Sequence, residues 1–504
     1  MGRQAGDTTT KVWRYLPLAC GVLCAVALFA FFQFSYRAHL CHREQFSLFL
    51  WAPGPLRAYW TTPAPLARLT GDMLTQFLGL NVVGALIMAA VMTTLGVLVY
   101  RLFARWMGVW ALPAAALAVA VETGRQCGLT YPLSSTLQWV GIVATLLLML
   151  RLISRVGGQA GKRASVWRLS ACVATLAAGL WLFGWGDWEK RAVNRPDMNV
   201  ERMLAVDNDW YHGRLKHLEQ RLRHRAGHTD RFDAYYQNLL LASEYHLGDE
   251  LMQHYQPFQL GLFLPVESTA SYPIIYFSGE LWFLVGDMTN AEHSALLGML
   301  FSPGSVGSRP LMRLAEISLI RGDEAAAMKY LRLLDKTLLY HRWARMHMPQ
   351  NRPKGVDRWL DMKRTLLCRA DTVRAPMDIG VSLRHLVEDN PGNVFAREYL
   401  YAFDLLGKNL DGFADDYARY QPDGMPPQRT WAEALLMWMT AHGGGGQELV
   451  ARDIPPEVVN SFVDFMEQYQ RIGTGPLPAD SQVHQIQQKF GKTYWFFYHF
   501  AEMR

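Results

Sequence analysis

Glu44 is the residue best placed to do chemistry. It sits in His42-Arg43-Glu44-Gln45, just after the first apolar run of the chain. A carboxyl held beside a membrane helix can give or take a proton at a lipid-linked substrate. Its surroundings also fit a plainer role. Pro53, Pro55, Pro63 and Pro65 punctuate the same loop, and Trp51, Tyr59 and Trp60 suit the headgroup zone. On that reading residues 37–72 form an interfacial helix pair that anchors the chain. A second cluster, Tyr340-His341-Arg342-Trp343-Ala344-Arg345-Met346-His347, is dense in imidazole and guanidinium groups. It fits a phosphate or metal site, and more simply a solvated helix end with tucked aromatics.

Other motifs carry less. Gly161-Lys162 resembles the end of a P-loop, but Val156 stands where Gly is needed and Arg163 replaces Ser/Thr. Four glycines at 443–446 read as a linker, because successive glycines disfavour regular structure. No His-Glu-x-x-His, Gly-x-Ser-x-Gly or Cys-x-x-Cys string occurs. Cys41 and Cys127 fall toward one side of the expected bundle and form the one candidate disulfide. No cofactor or metal is called for.

The elements that must position these residues follow from charge. The 504 residues are 50% hydrophobic and have a mean hydropathy near zero, which resembles an ordinary soluble protein. The average hides two halves. Residues 1–187 hold 15 Lys/Arg and 5 Asp/Glu, a net of +10. The rest hold 35 and 39, a net of −4. Five uncharged runs fall in the first part: 15–36, 73–100, 106–121, 126–150 and 169–186. About 20 apolar residues cross a bilayer as helix, so the pattern predicts a bundle of about five transmembrane helices. The third run is short and contains Pro113, so it either spans or lies re-entrant. Run 15–36 continues too far for a signal peptide and reads as an uncleaved anchor. With five spans and a cytoplasmic N-terminus, ten basic residues lie inside and eight outside, which puts the C-terminal region across the membrane. The basic excess sits at the membrane, so nucleic acid is not an expected partner. The lipid bilayer is.

From about residue 194 onward the chain reads as helix after helix. Gly-Asp recurs at Gly248, Gly286 and Gly322, each time after an apolar helical stretch, and a fourth stretch ends before Gly407. The period resembles the tetratricopeptide repeat. Gly286 is followed five residues later by Ala291 and Gly322 by Ala327; Gly279 and Ala315 stand seven residues before each turn, and Pro303 sits where the second helix should close. Gly248 and Gly407 lack the following Ala, so those two units match loosely. Asn390-Pro391-Gly392-Asn393 resembles a junction between repeats. The expected fold is all-α: residues 1–187 a transmembrane helical domain, 188–425 a tetratricopeptide-like α-solenoid, and 426–504 a C-terminal helical cap. Helices are predicted at 429–441, 455–471 and 480–502, with the aromatic block Thr493–Phe500 covering the end of the core.

The chain as a whole resembles a family of multi-pass membrane proteins of Bacteroidota whose activity is unknown. The resemblance rests on Arg43-Glu44-Gln45-Phe46-Ser47-Leu48-Phe49, Arg313-Leu314-Ala315-Glu316-Ile317, Tyr330-Leu331 and Thr493-Tyr494-Trp495. It implies an inner-membrane location and brings no reaction or catalytic residue. The favoured function is a non-enzymatic scaffold that presents its repeat region in the periplasm to a protein or peptide. The alternative is a glycosyltransferase-like enzyme acting on a lipid-linked substrate, with Glu44 in its site. A small-molecule transporter ranks third, since the apolar runs carry no acidic residue where transport sites place one.

Overall fold

The computed structural model describes residues 3–154, 162–184, 193–223, 230–267, 270–368, 378–443, 453–472 and 479–502. Every regular element among them is helical. Residues 155–161 of the basic loop before the last apolar run, the glycines at 444–446 and the boundary near residue 187 lie outside the described residues. The chain groups into two compact units. The first contains residues 1–208, 299–315 and 325–352; the second contains 209–298, 316–324 and 353–504. Two stretches from the expected repeat region therefore join the N-terminal unit.

Among the described residues nine α-helices precede residue 212: α1 (Arg3–Ala30), α2 (Arg37–Gln45), α3 (Pro53–Ala58), α4 (Pro65–Thr75), α5 (Val83–Met107), α6 (Leu112–Gln126), α7 (Leu133–Ser154), α8 (Lys162–Gly179) and α9 (Met198–Tyr211). Three stretches are long and apolar enough to cross a bilayer: Tyr15–Ser35, Val83–Gln126 and Leu133–Ser154. Among the described residues the expected count of about five is thus corrected to three. The second and third apolar runs form one helical stretch of 44 residues, α5 followed by α6. That stretch folds back at Gly108, whose φ of +57° suits glycine. Gly96 lies against Val119, so close that a Cβ there would meet the valine side chain at 2.8 Å. The returning leg, α6, has 15 residues, about 22 Å of helix, short of a bilayer core of about 30 Å. The described apolar helix in the fifth run, Ser170–Phe183, is likewise short.

These helices meet at one polar end. Gln33 donates to Asn81 at 3.1 Å, joining the exit of α1 to the entry of α5. Arg37 donates to the carbonyls of Gly79 and Leu80 at 2.8 and 2.9 Å. The Tyr36 hydroxyl donates to the Cys127 carbonyl at 3.0 Å, which brings in the exit of α6. The backbone N–H of Asn194 reaches the Gly124 carbonyl at 3.2 Å, so the chain leaving α8 returns to the same end.

The second unit is built on a buried helix, Val394–Leu406, whose inward side chains include Tyr399, Leu400 and Leu405. Asn393 caps it by accepting from the Ala396 N–H at 3.1 Å, and its amide donates to the carbonyls of Val285 and Leu366. In a linear repeat stack each hairpin touches its neighbours alone. Here Arg231–Ser243 packs against Val394–Leu406, far along the chain. Helices at Arg429–Ala441 and Pro456–Gln470 stand where the sequence placed them, while the stretch expected at 480–502 divides into Ala479–Phe490 and Tyr494–Phe500. In the latter, Tyr494 and Trp495 are buried. Lys408 faces the rings of Phe258, Phe497 and Tyr498 and donates to the Ala501 carbonyl at 2.6 Å, which ties this end down.

Candidate functional site

Eight consecutive residues of α2, Ala38 to Gln45, are buried, and five of them are polar: His39, His42, Arg43, Glu44 and Gln45. A helix this polar is stable inside a protein only if its groups find partners. The partners come from distant parts of the first unit. Glu201 on α9 caps the helix entry, its two oxygens accepting from the N–H groups of Ala38 and His39 at 2.6 and 2.9 Å. A carboxylate there also complements the positive end of the helix dipole. Arg43 donates to the Gln126 side chain and, at 2.9 Å, to the Tyr131 carbonyl. Gln126 passes the network to Thr136 at 2.6 Å. Thr136 and the Tyr131 hydroxyl both donate to Glu122, at 2.8 and 2.6 Å.

The far side of α2 meets the inserted segments. Gln45 donates to Asn208 at 3.0 Å and accepts from Arg309 at 3.1 Å. Arg309 is 1% exposed and forks onto both oxygens of Asp207, itself 1% exposed. The N–H of Ser308 donates to the Ser47 carbonyl at 3.1 Å. Glu44 accepts from the Tyr340 hydroxyl at 2.6 Å and packs so closely on Gly79 that a Cβ there would meet its carboxylate at 2.8 Å. Burial lifts the Glu44 carboxyl to about 7, against the opposing pull of its bonds from Tyr340 and Ser308. The imidazoles shift the other way. Burial, aided by Arg43, lowers His39 to about 3; burial, with Arg309 and His39 adding, holds His42 well below its ordinary value.

Glu44 thus lies at the centre of a polar joint. Cys41 and Cys127 are both buried, and the disulfide considered between them is not formed. The 340–347 cluster divides: Tyr340 turns in to Glu44, Trp343 stacks on His347 at 3.9 Å, and His341, Arg342 and Arg345 face outward. Among the described residues no group of three or more His, Cys, Asp or Glu side chains is arranged to hold a metal ion. The residues proposed for repeat packing divide between the units: Gly279, Gly286, Ala291, Gly322 and Gly407 fall in the second, Pro303, Ala315 and Ala327 in the first. Gly279 approaches Ser294 and Ala291, with a notional Cβ at 2.9 Å from the serine Cβ; Ala291, Ala315 and Ala327 are buried, and Pro303 is exposed in a turn. Gly286 and Gly322 take left-handed φ values of +85° and +81°. At the two loosely matching units another residue takes that conformation, Tyr245 ahead of Gly248 and Lys408 after Gly407. Sequence reasoning passed over Glu201, Asp207, Asn208, Arg309 and Gln126. Nothing local marks them, since a charged residue near a helix entry ordinarily faces solvent.

Among the described residues, fold and joint define a helical protein with three helical stretches long and apolar enough to cross a membrane and a buried polar knot at one end of them. The chain belongs to a family of unknown function, DUF6057, whose model matches residues 11–193 and 164–501. No curated protein and no solved structure matches the chain.

Proposed function

We propose that the protein is a membrane-mounted scaffold, held in the inner membrane by its N-terminal helices, whose second unit binds a protein or peptide on the extracytoplasmic side. One observation carries the reading: the side chains of Arg43, Glu44 and Gln45 on α2 are engaged from within the fold, by Gln126, Tyr131, Tyr340, Asn208 and Arg309, and Glu201 caps the helix entry. A joint of that kind couples anchor to outer segments firmly and leaves its polar groups to structure. The turns at Gly286 and Gly322 keep the tetratricopeptide-like spacing in the second unit, and arrays with that spacing use their surfaces for peptides, which favours a protein partner. Photo-crosslinking in intact membranes tests it. Residue-specific adducts between the second unit and one protein are expected; adducts only to the protein's own first unit would refute the scaffold role.

The enzyme reading keeps one observation in its favour, a Glu44 carboxyl near 7, where an acid–base catalyst works best. Against it stand the packing of that carboxyl on Gly79 and its bond to Tyr340. Glu44→Gln separates the two. A scaffold retains its cellular role at unchanged protein level; an enzyme of this kind loses it.

A further inference from the structure

The segment from Lys336 to His347 has two faces. Ala344, His347 and Met348 are buried and seat the His341–His347 helix on the first unit. His341, Arg342, Arg345 and Met346 point outward, and Leu338 before them is 42% exposed. Between 336 and 347 the chain holds Lys336, Arg342 and Arg345 and no acidic residue. Arg345 pairs with Asp335 at 2.7 Å.

This basic and apolar face adjoins a chain of aromatic contacts that starts at the short apolar helix Ser170–Phe183. Trp181, in the turn Leu180–Gly184 that ends the short apolar helix, stacks on Trp60 at 6.0 Å. Beside Trp60, Tyr59 packs on Phe49 at 6.0 Å, and Phe49 meets Trp51 edge-on at 5.2 Å. The Trp51 N–H then donates to the Lys336 carbonyl at 2.7 Å. Trp51, Trp60 and Trp181 are all exposed. Exposed tryptophans at the end of apolar helices mark the headgroup level of a bilayer. Arginines interleaved with exposed Leu and Met, on a helix that buries its other face, fit that zone when the headgroups are anionic.

We propose that the Lys336–His347 face, with Trp51 and Trp60, binds anionic phospholipid of the same bilayer that holds the N-terminal helices. The surface accounts for the outward half of the His/Arg cluster, which the polar joint leaves unused. It rests on the membrane-anchored reading, so the test reports on both. A benzophenone amino acid is placed at Met346 in one full-length protein and at Leu23, an exposed residue of α1, in another. Each is reconstituted into nanodiscs of phosphatidylcholine alone or with phosphatidylglycerol, irradiated and analysed by mass spectrometry. Leu23 adducts in both bilayers are expected from the anchor itself. At position 346, lipid adducts should be enriched in phosphatidylglycerol and fall by about five-fold for the one charge removed in each of Arg342→Gln and Arg345→Gln. Labelling at Leu23 without lipid adducts at 346 overturns the proposal while sparing the anchor. Equal labelling of both lipids, or adducts at 346 to a protein in intact membranes, also overturns it. Failure at Leu23 sinks the anchored reading.

Discussion

Burial decides the charge state of the side chains on α2, and that makes them testable by pH. The Glu44 carboxyl is raised to about 7 from an ordinary 4.5. The folded state therefore holds this proton more tightly than the unfolded chain. Its contribution is complete below pH 4.5 and is lost as pH rises through 7, reaching at most about 3 kcal/mol by pH 8. Glu44→Gln keeps an acceptor for Tyr340 and removes the titration. It should raise the melting temperature at pH 8 and leave it unchanged at pH 5, by thermal unfolding in nanodiscs. His39 and His42 act in the opposite sense. Their folded pKa values are depressed, so their contribution is full above 6.5 and lost as pH falls toward about 3. Their effect is common to both proteins and cancels in the comparison. Arg309 supplies a second test. Arg309→Met removes the fork from a buried Asp207 and should cost ~3–5 kcal/mol. Arg223→Met, in an exposed pair with Glu219, should leave stability unchanged. Glu44 was legible in the sequence as a residue of interest because it follows an apolar run. Its partners were not, since burial of Arg309 and Asp207 depends on contacts across more than 100 positions of chain.

Elements show where sequence periodicity is a sound guide and where it is not. Apolar length found α5 and α7 but not their ends: the runs 73–100 and 126–150 begin ten and seven residues before Val83 and Leu133, where the helices start. It counted α6 as a separate span because it cannot register that Gly108 turns the chain back after α5. The Gly-Asp period likewise found the turns at Gly286 and Gly322, where a left-handed backbone favours glycine. It could not tell apart what surrounds them. A Cβ at Gly286 would meet the Leu366 carbonyl at 2.4 Å, while one at Gly322 meets nothing within 4 Å. Gly322→Ala should therefore cost only the left-handed strain, about 1–2 kcal/mol. Gly286→Ala adds a backbone clash and should cost more, read from paired melting curves. Helix contact inside the membrane unit gives a matching pair. Gly71 on α4 lies against Ser134 at the start of α7, with backbone atoms 2.5 Å from a notional Cβ. Gly71→Ala should destabilise by ~1–3 kcal/mol, whereas Gly54→Ala, in open space on α3, should not.

At the scale of the molecule, the polar joint gives the chain a direction. The exit of α1, the entry of α5, the exit of α6 and the chain at Asn194 all meet at one end of the helices, and α2 is buried there with residues 201–208 and 308–309. Arg101 and Arg105, near the turn at Gly108, and Arg151, near the exit of α7, lie toward the other end. Basic residues collect on the cytoplasmic side of membrane helices. At the joint end Arg37, Arg43 and Arg125 are engaged by carbonyls, Gln126 and Glu122. The proposed orientation, with a cytoplasmic N-terminus, predicts that the joint lies outside the cytoplasm. Alkaline phosphatase, which folds only where disulfides form, reads this directly. Fused after Arg504 it should be active; fused after Arg105 or Arg151 it should be silent, with a cytoplasmic reporter giving the inverse pattern. The opposite result would place the second unit in the cytoplasm, reverse the choice of possible partners, and put the basic face at 336–347 against the inner leaflet.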